Sequence, residues 1–343
     1  MSPTLFSGAS PSPVSTRRSA RIISTALAAL ALSAAAAPAA AAEPAVAAAV
    51  ADGALQITGT HGADRITLRL SAQDSSALEV DVRDDGSADF TFDRTTFTRV
   101  VVNGRDGDDS VRIAEANGVF TTTEGIRVDG GNGDDSFIGG SGNELFVGGR
   151  GDDFTDGNGG ADTARLGQGD DTFVWDPGDA SDAVDGGAGA DTLVFNGAGG
   201  NEVMAATASL GRVLFTRVQG GIVMDLDGVE TIDVNALGGV DLVTVDDVTG
   251  TDLRRVNVDL AAALEGTAGD RQGDTVAVLG TGGDDSITAT AVAGAVSVTG
   301  LNAGVRITGA DADLDTLAID ARGGDDVVAV DPGVENLIEV TVK

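Results

Sequence analysis

The stretch GGNGDDSFIGGSGNELFVGGRGDDFTDGNGGADTARLGQGDDTFV, residues 130–174, decides the fold because it repeats every nine residues. The copies are variants of the pattern Gly-Gly-x-Gly-x-Asp-x-apolar-x, whose places we number as repeat positions one to nine. After two extra residues, Trp175 and Asp176, the pattern returns in a weak copy at 177–185 and in a good copy at 186–194. A short fixed period indicates one small unit stacked on copies of itself, each too small to bury a core alone.

The glycines and the aspartate of each copy predict a turn that binds a hard metal ion. Glycines at positions one, two and four allow positive φ angles, so the turn can curl until its carbonyl oxygens point inward. The carboxylate at position six adds oxygen ligands, and calcium takes six to eight oxygens in irregular geometry. The chain has no cysteine, and its only histidine, His61, lies outside the repeats, which disfavours a zinc or copper site.

Positions seven to nine of each copy predict a short strand. Side chains alternate along a strand, so the side chain at position eight should face the interior. The predicted inward residues are Phe137, Phe146, Thr155, Ala164, Phe173, Val184 and Leu193. Thr155 and Ala164 fill little volume and Phe154 stands one place early, which predicts a local distortion in the third and fourth copies.

The repeats resemble the nonapeptides of the repeats-in-toxin (RTX) family, which are bacterial calcium-binding β-rolls. The resemblance implies that two nonapeptides form one coil, that copies two apart stack on one edge, and that calcium lies between consecutive turns of an edge. One edge would carry Asp135, Asp153, Asp171 and Asp191, and the other Glu144, Asp162 and Asp182. The first edge is the better candidate, because Glu144 replaces aspartate and the Asp182 turn lacks paired glycines.

On this resemblance we expect calcium to be the bound metal. The candidate metal-binding residues are Gly131, Gly133, Asp135, Gly149, Gly151, Asp153, Gly167, Gly169, Asp171, Gly187, Gly189 and Asp191 on one edge, and Asp162 on the other. Segments 175–197, 224–245 and 280–290 also look like parts of bacterial secreted calcium-binding proteins. The resemblance therefore covers most of the chain after the repeats.

The charge of the chain also indicates a cation-binding protein. It has 54 acidic and 21 basic residues, and within 129–191 only Arg150 and Arg165 oppose 15 acidic side chains. Such a charge repels nucleic acid and anionic membranes. The alternative is a Gly/Asp-rich disordered linker, but a linker has no reason to place an apolar residue near every eighth position. We expect disorder only in the absence of calcium.

Residues 1–42 predict a cleaved export signal. Arginines at 17, 18 and 21 precede an apolar run at 22–32, and alanine-rich sequence leads to a cleavage motif at 40–42. The strongly apolar part is too short for the roughly 20 residues of a spanning helix. We therefore expect a secreted, extracellular protein with no transmembrane span after cleavage. Its lack of cysteine fits stabilisation by metal rather than by disulfides.

The flanking sequence predicts short strands bounded by Gly and Asp. They are expected at 56–58, 65–70, 78–82, 100–102, 213–218, 222–226, 229–234, 256–260, 276–279, 305–308 and 337–342. One helix is a candidate, at 259–264. The segment GTHGADRIT (59–67) resembles GTGGDDSIT (280–288), and 104–113 resembles 321–330. Duplicated coils on both sides favour one continuous solenoid, and two β-sandwiches flanking a roll are the alternative.

Catalytic residue types are scarce, so the sequence disfavours an enzyme. There is no tyrosine, the single lysine is Lys343, and any triad would have to use His61, whose place in the duplicated turn is a glycine. Adjacent acids such as Asp152 and Asp153 should face opposite ways along a strand. The enzymatic alternative is a calcium-assisted polysaccharide lyase with Arg150 or Arg165 as base. The lone tryptophan, Trp175, could stack on sugar but is expected to pack at the insertion.

These observations predict an all-β protein, a parallel β-roll or β-solenoid with a central calcium-binding block. The predicted divisions are a signal peptide at 1–42, N-terminal coils at 43–128, the RTX-like roll at 129–197 and C-terminal coils at 198–343. The predicted function is non-enzymatic calcium binding that couples folding to extracellular calcium. An adhesin-like surface module is the alternative, with a cell-surface or polysaccharide partner that the sequence does not identify.

Overall fold

The computed structural model describes residues 45–343, so the predicted leader and its cleavage site lie outside the described residues. The first half of the described chain contains β1 Ala47–Ala51, β2 Ala54–Thr58, β3 Arg65–Leu70, β4 Ala77–Val82, β5 Phe90–Asp93, β6 Arg99–Asp106, β7 Ser110–Ala114, β8 Gly125–Asn132, β9 Ser136–Ile138, β10 Glu144–Arg150, β11 Phe154–Asp156, β12 Thr163–Gln168, β13 Thr172–Trp175, β14 Ala183–Ala188 and β15 Thr192–Asn196.

The second half contains β16 Val203–Ser209, β17 Arg212–Arg217, β18 Ile222–Asp227, β19 Thr231–Asn235, β20 Leu242–Val245, β21 Arg255–Asp259, β22 Thr275–Leu279, β23 Ser286–Val292, β24 Ala295–Thr299, β25 Gly304–Thr308, β26 Thr316–Asp320, β27 Val327–Val330 and β28 Glu339–Val342. Four single 3₁₀ turns lie at Arg94–Thr96, Glu115–Asn117, Gln219–Gly221 and Val334–Asn336, and residues 45–343 contain no α-helix.

The 28 strands form two sheets of 14, which confirms the predicted all-β fold with a parallel roll. Sheet 1 has the order β1-β2-β6-β8-β10-β12-β14-β18-β17-β16-β20-β22-β26-β28. Sheet 2 has the order β27-β23-β24-β25-β21-β19-β15-β13-β11-β9-β7-β3-β4-β5. Both sheets continue past the repeats in either direction, and residues 45–343 belong to one compact unit, so the flanks are not separate sandwiches.

Each pair of nonapeptides makes one coil, with one strand in each sheet. In sheet 1, Phe146 of β10 is level with Ala164 of β12, 18 residues later. In sheet 2, Thr155 of β11 is level with Phe173 of β13, again 18 residues later. The two extra residues at 175–176 lengthen the next coil, so that Thr172 is level with Thr192. The nine-residue period therefore sets the register of the roll.

The core lies between the two sheets and consists of the side chains at repeat position eight and their equivalents. All seven predicted inward residues, from Phe137 to Leu193, are buried. The rings of Phe137 and Phe146, one from each sheet, stack with centroids 5.5 Å apart. Burying one large apolar side chain contributes about 1.5–3 kcal/mol, so the coils are held together mainly by this central row.

The predicted distortion around Phe154 is wrong. Phe154 is level with Ser136 and Thr172, and Thr155 is level with Phe137, so the register of β9, β11 and β13 is regular. Thr155 is buried at position eight, and Phe154 is 38% exposed on the outer face. The backbone hydrogen bonds of the two neighbouring strands fix the register, and one poorly filled position does not overcome them.

Antiparallel hairpins interrupt the parallel order of the flanks. They join β3 to β4 and β5, β16 to β17 and β18, and β23 to β24 and β25. Each hairpin adds strands to one sheet before the chain crosses to the other. The helix predicted at 259–264 is wrong, because Asp259 ends β21 and Ala261 instead makes an isolated bridge with Gly269.

The segments 59–67 and 280–288, which resemble each other in sequence, have the same local structure. Thr60 N–H donates to Asp64 Oδ2 (2.6 Å), and Thr281 N–H donates to Asp285 Oδ2 (2.7 Å). Each turn leads into a strand that begins a hairpin, β3 or β23, and that strand pairs in parallel with β7 or β27. The sequence duplication is therefore a duplication of structure.

Trp175 packs at the insertion, as predicted. It is fully buried, its ring stacks on Phe195 with centroids 4.1 Å apart, and its Nε1 donates to the carbonyl of Ala180 (2.8 Å). The guanidinium of Arg217 lies over the ring, 5.5 Å from its centroid. Because the ring is buried inside the roll, it is not available to stack on a sugar.

Two phenylalanines on adjacent strands test this packing. We expect Phe173→Ala to lower the free energy of unfolding by about 3–5 kcal/mol, because it removes a buried ring from the central row. We expect Phe154→Ala to change it by about 0.5 kcal/mol or less, because that ring lies on the outer face. Urea unfolding with calcium present measures both, and equal losses would contradict the assignment of the two faces.

Candidate metal-binding turns

The acidic residues at position six form a ladder along each edge of the roll. We call edge 1 the turns that lead from sheet 1 to sheet 2, and edge 2 the turns that lead back. On edge 1, Asp135 N–H donates to Asp153 Oδ1 (2.8 Å) and Asp153 N–H donates to Asp171 Oδ1 (2.7 Å). Asp171 N–H continues the ladder to Asp191 Oδ1 (2.9 Å). The structure thus brings together all four aspartates predicted for this edge.

The glycines predicted to shape these turns have positive φ angles, with values from 100° to 153°. They are Gly131, Gly133, Gly149, Gly151, Gly167, Gly169, Gly187 and Gly189. Glycine is required at position 149 for two reasons: its φ is 119°, and an added Cβ would overlap the carbonyl oxygen of Gly131 in the neighbouring turn. Gly151 faces the carbonyl of Gly133 in the same way. A carbonyl of each turn therefore points at the next turn along the edge.

The second carboxylate oxygen of each edge 1 aspartate has no hydrogen-bond donor. The Oδ2 atoms of Asp135, Asp153, Asp171 and Asp191 are buried and unpartnered. Buried polar groups are normally hydrogen-bonded, and a buried charge is normally paired or coordinates a metal. Four such oxygens in a row along one edge are acceptors for a cation.

Edge 2 carries a shorter version of the ladder. Glu144 N–H donates to Asp162 Oδ1 (2.6 Å), and Asp162 N–H donates to Asp182 Oδ1 (2.8 Å). Asp162 Oδ2 is buried and unpartnered like its edge 1 counterparts. Asp162 therefore has the geometry predicted for it, with Asn158 at position two replacing the usual glycine at a φ of 55°.

The Glu144 turn is built differently. Gly140 N–H, at position two, donates to Glu144 Oε2 (2.9 Å), which leaves only Oε1 without a partner. We call a turn closed when the N–H at position two donates to the acid at position six. We call it open when the residue at position two has a positive φ and one oxygen of that acid is buried without a donor. The five turns of Asp135, Asp153, Asp162, Asp171 and Asp191 are open.

Burial changes the protonation of the ladder. Removal from water raises the pKa of Asp153 and Asp191 to about 7 and of Asp135 and Asp171 to about 6, although each accepts a backbone N–H that lowers it. On edge 2, burial raises the pKa of Asp162 to about 9 and of Asp182 to about 7. Neighbouring carboxylates contribute to several of these shifts. A metal-free roll therefore opposes full ionisation of its own edge.

The donor set fits a hard cation that takes most of its ligands from the backbone. Within residues 45–343 no three acidic or histidine side chains converge on one point. Each open turn instead offers one free carboxylate oxygen beside stacked turn carbonyls. Calcium accepts such mixed carboxylate and carbonyl oxygens, whereas structural zinc requires cysteine or histidine.

A second, exposed row of aspartates runs beside the edge 1 ladder and was not predicted as a unit. At position five, Asp134 N–H donates to Asp108 Oδ1 (3.0 Å) and Asp152 N–H donates to Asp134 Oδ1 (2.8 Å). Asp170 N–H continues the row to Asp152 (2.8 Å). The Asp-Asp pairs at positions five and six of the sequence could have indicated this second row. As predicted, the two members of each pair lie apart, with Asp152 exposed and Asp153 buried.

The residues considered for catalysis lie on the surface. His61 is exposed, and its Nδ1 is 2.6 Å from Asp106 Oδ2. Arg150 ends β10, Arg165 lies in β12, and both are exposed. His61 thus has the surface position expected of a turn residue.

Comparison with known proteins finds no match, either among family models or among curated proteins. No helix in residues 45–343 is long and apolar enough to cross a membrane.

The raised pKa values predict how pH affects the metal-free protein. Unfolded aspartates have a pKa near 4, so between about pH 4 and pH 7 the folded ladder binds more protons than the unfolded chain. The stabilisation is complete below about pH 4 and is lost as pH rises through the folded pKa values. We expect the β signal of circular dichroism in chelator, at a fixed temperature, to fall as pH rises from about 5 to about 8, so that the chain is mostly unfolded in chelator at about pH 7.5. A β signal that rises over this range would contradict the prediction.

Proposed function

We propose that this chain is a secreted calcium-binding β-roll protein whose stacked turns couple folding to extracellular calcium. The observation that carries the proposal is the row of buried carboxylate oxygens without donors at Asp135, Asp153, Asp162, Asp171 and Asp191. The resemblance of the repeats to the RTX nonapeptide and the export signal predicted at residues 1–42 support the same assignment.

The cost of leaving these oxygens unpaired supports a bound cation. A buried charged group without a partner is destabilising by several kcal/mol, and the repeats place one on every coil. Across 129–191 only Arg150 and Arg165 carry positive charge, and both are exposed. No basic side chain in the block lies inside the roll to neutralise the ladder, so above the raised pKa values of these acids a cation from solution would do so.

Calcium suits these turns better than other common ions. The chain has no cysteine, and its one histidine lies outside the repeats. Magnesium demands near-octahedral geometry and gives up its water reluctantly, whereas calcium accepts irregular sets of oxygens. The residues that would hold it are the open-turn aspartates together with backbone carbonyls of the glycine turns. Calcium would supply positive charge to the ladder and fill the coordination of its free oxygens.

Binding of this kind would make folding depend on calcium. An ion that binds only the folded state adds its binding free energy to stability. Cells keep cytosolic calcium low, so an exported chain would complete its folding only after it leaves the cell. The calcium-dependent step would be the closing of the coils between 130 and 194.

An adhesin-like surface module is a second candidate, favoured by a groove on the outer face of sheet 2. The groove has a volume of about 420 Å³ and is lined by Arg255, Arg306, Asp233, Asn235 and Asn257, among others. Asn257 Nδ2 donates to Asp233 Oδ1 (2.6 Å), while Asn257 Oδ1 has no partner. Retention on carbohydrate arrays that is lost in Arg255→Ala and Arg306→Ala would support this role.

The first test is calcium-dependent folding. We expect chelator to abolish most of the β signal in far-ultraviolet circular dichroism, because ionised carboxylates in the ladder repel one another. Calcium should restore the signal, and magnesium at the same concentration should restore much less. A β signal that chelation does not change at about pH 7.5 would overturn the proposed function.

The second test compares the two edges. Asp153 lies between the open turns of Asp135 and Asp171, whereas Asp162 lies between the closed Glu144 turn and the Asp182 turn, which lacks paired glycines. We expect Asp153→Ala to remove or weaken more bound calcium than Asp162→Ala, because it borders two complete turns. Calorimetric titration of both variants measures the stoichiometry and affinity. Equal losses would contradict the assignment of edge 1 as the stronger edge.

A further inference from the structure

Open and closed turns also occur outside the repeats, and they do not follow the repeat motif. Two flanking turns have the open geometry, at 104–109 and 236–241. Five acids elsewhere in the roll sit in closed turns: Asp64, Glu144, Glu202, Asp285 and Asp315, each of which accepts the N–H of the residue at position two. This one hydrogen bond separates acids whose second oxygen is engaged from acids whose second oxygen is free.

The turn at 104–109 continues edge 1 directly from the repeats. Asp109 N–H donates to Asp135 Oδ1 (2.8 Å), and Asp109 Oδ1 accepts the N–H of Asp64 (2.8 Å). Asp109 Oδ2 has no donor, and the residue is 4% exposed. Arg105 stands at position two with a φ of 89°, where the repeats have glycine.

The stacking between this turn and the first repeat matches the stacking inside the block. The carbonyl of Arg105 faces Gly131, just as the carbonyl of Gly131 faces Gly149. The free Oδ2 of Asp109 points into its own turn, where an added Cβ at Gly104 would overlap it. The interval between 104–109 and 130–135 thus has the same carbonyls and the same free carboxylate oxygen as the intervals between repeats.

The turn at 236–241 has the open geometry on edge 2. Leu237 at position two has a φ of 67°, and Gly239 at position four has a φ of 130°. Asp241 Oδ1 accepts the N–H of Glu202 (2.8 Å), and Asp241 Oδ2 is unpartnered in a residue that is 3% exposed. Asp241 N–H donates to Asp274 Oδ1 (2.8 Å), which continues the ladder of edge 2.

The flanking turn that looks most like the repeats lacks these features. The sequence GTGGDD at 280–285 has glycines at positions one, three and four, yet Asp285 Oδ2 accepts the N–H of Thr281 (2.7 Å). Thr281 Oγ1 accepts the N–H of Gly283 (3.1 Å), a local turn that a threonine side chain favours. Thr60 makes the same contact with Gly62 in the other copy. Threonine at position two therefore accompanies the closed geometry.

We infer that calcium also binds beside Asp109 and beside Asp241, outside the nonapeptide block, and does not bind beside Asp285 despite its motif. The inference rests on the proposed function, because it extends the same chemistry to turns selected by geometry. It also widens the role of the ion. Calcium would link the repeats to the N-terminal coils through edge 1, and would stabilise the C-terminal coils through edge 2.

Anomalous diffraction from crystals of the protein grown with calcium tests both assignments. We expect calcium peaks within the repeats, beside Asp109 and beside Asp241, and none beside Asp285 or Asp64. Peaks in the repeats without peaks at Asp109 and Asp241, or a peak at Asp285, would overturn this inference and leave the proposed function standing. No peak at any turn would overturn the proposed function itself.

Matched variants give the same answer in solution. We expect Asp109→Asn and Asp241→Asn each to lose one calcium ion per chain in calorimetric titration, and Asp285→Asn to lose none. All three remove one charge from position six of a flanking turn, so a general effect of charge would lower binding in all three and would contradict the inference. If a variant fails to fold with calcium present, the peaks in the wild-type crystals decide.

Discussion

The structure depends on one repeated hydrogen bond, in which the backbone N–H of an acidic residue donates to the carboxylate of the equivalent residue one coil further along. It links Asp64, Asp109, Asp135, Asp153, Asp171 and Asp191 on edge 1. A carboxylate that accepts a backbone N–H is held in one orientation. In the open turns one oxygen is used in this way and the other is left at a fixed and buried place without a donor. There the bond that stacks the coils leaves the acceptor that, on the proposed function, a cation would occupy.

This constraint explains the composition of the repeats. The turn has to bring a carbonyl close to the next turn and leave a carboxylate oxygen free, so position two takes a positive φ. Glycine adopts that conformation without strain, whereas Arg105, Asn158 and Leu237 adopt it at some energetic cost in the less regular turns. The apolar row at position eight holds the sheets together. On the proposed function, packing and ion binding are separate requirements of the same nine residues.

The sequence predicted the fold of the repeats well because one period specifies register, core and turn together. The positions of Phe137, Asp153 and Asp162 followed from it directly. In the flanks, which lack the period, the sequence predicted many of the strands but not their antiparallel pairing. Antiparallel hairpins such as β16–β18 alternate apolar and polar residues just as parallel strands do, so they could not be distinguished. The open geometry at 236–241 could not be predicted because Leu237 replaces glycine, and the closed geometry at 280–285 could not be predicted because its sequence resembles the repeats. The backbone conformation at position two decides whether each of these two turns is open or closed, and the residue type at that position indicates this conformation only indirectly.

Hydrogen exchange of the ladder amides tests the central claim most directly, because these N–H groups make the bond on which the roll depends. The account predicts that the amides of Asp135, Asp153 and Asp171 exchange slowly with calcium and rapidly with chelator. The amides of the central strands should follow them, because the coils close only when the ladder is neutralised. Equal, strong protection of the ladder amides in both conditions would contradict the account, since the carboxylates would then be stable in the roll without a cation.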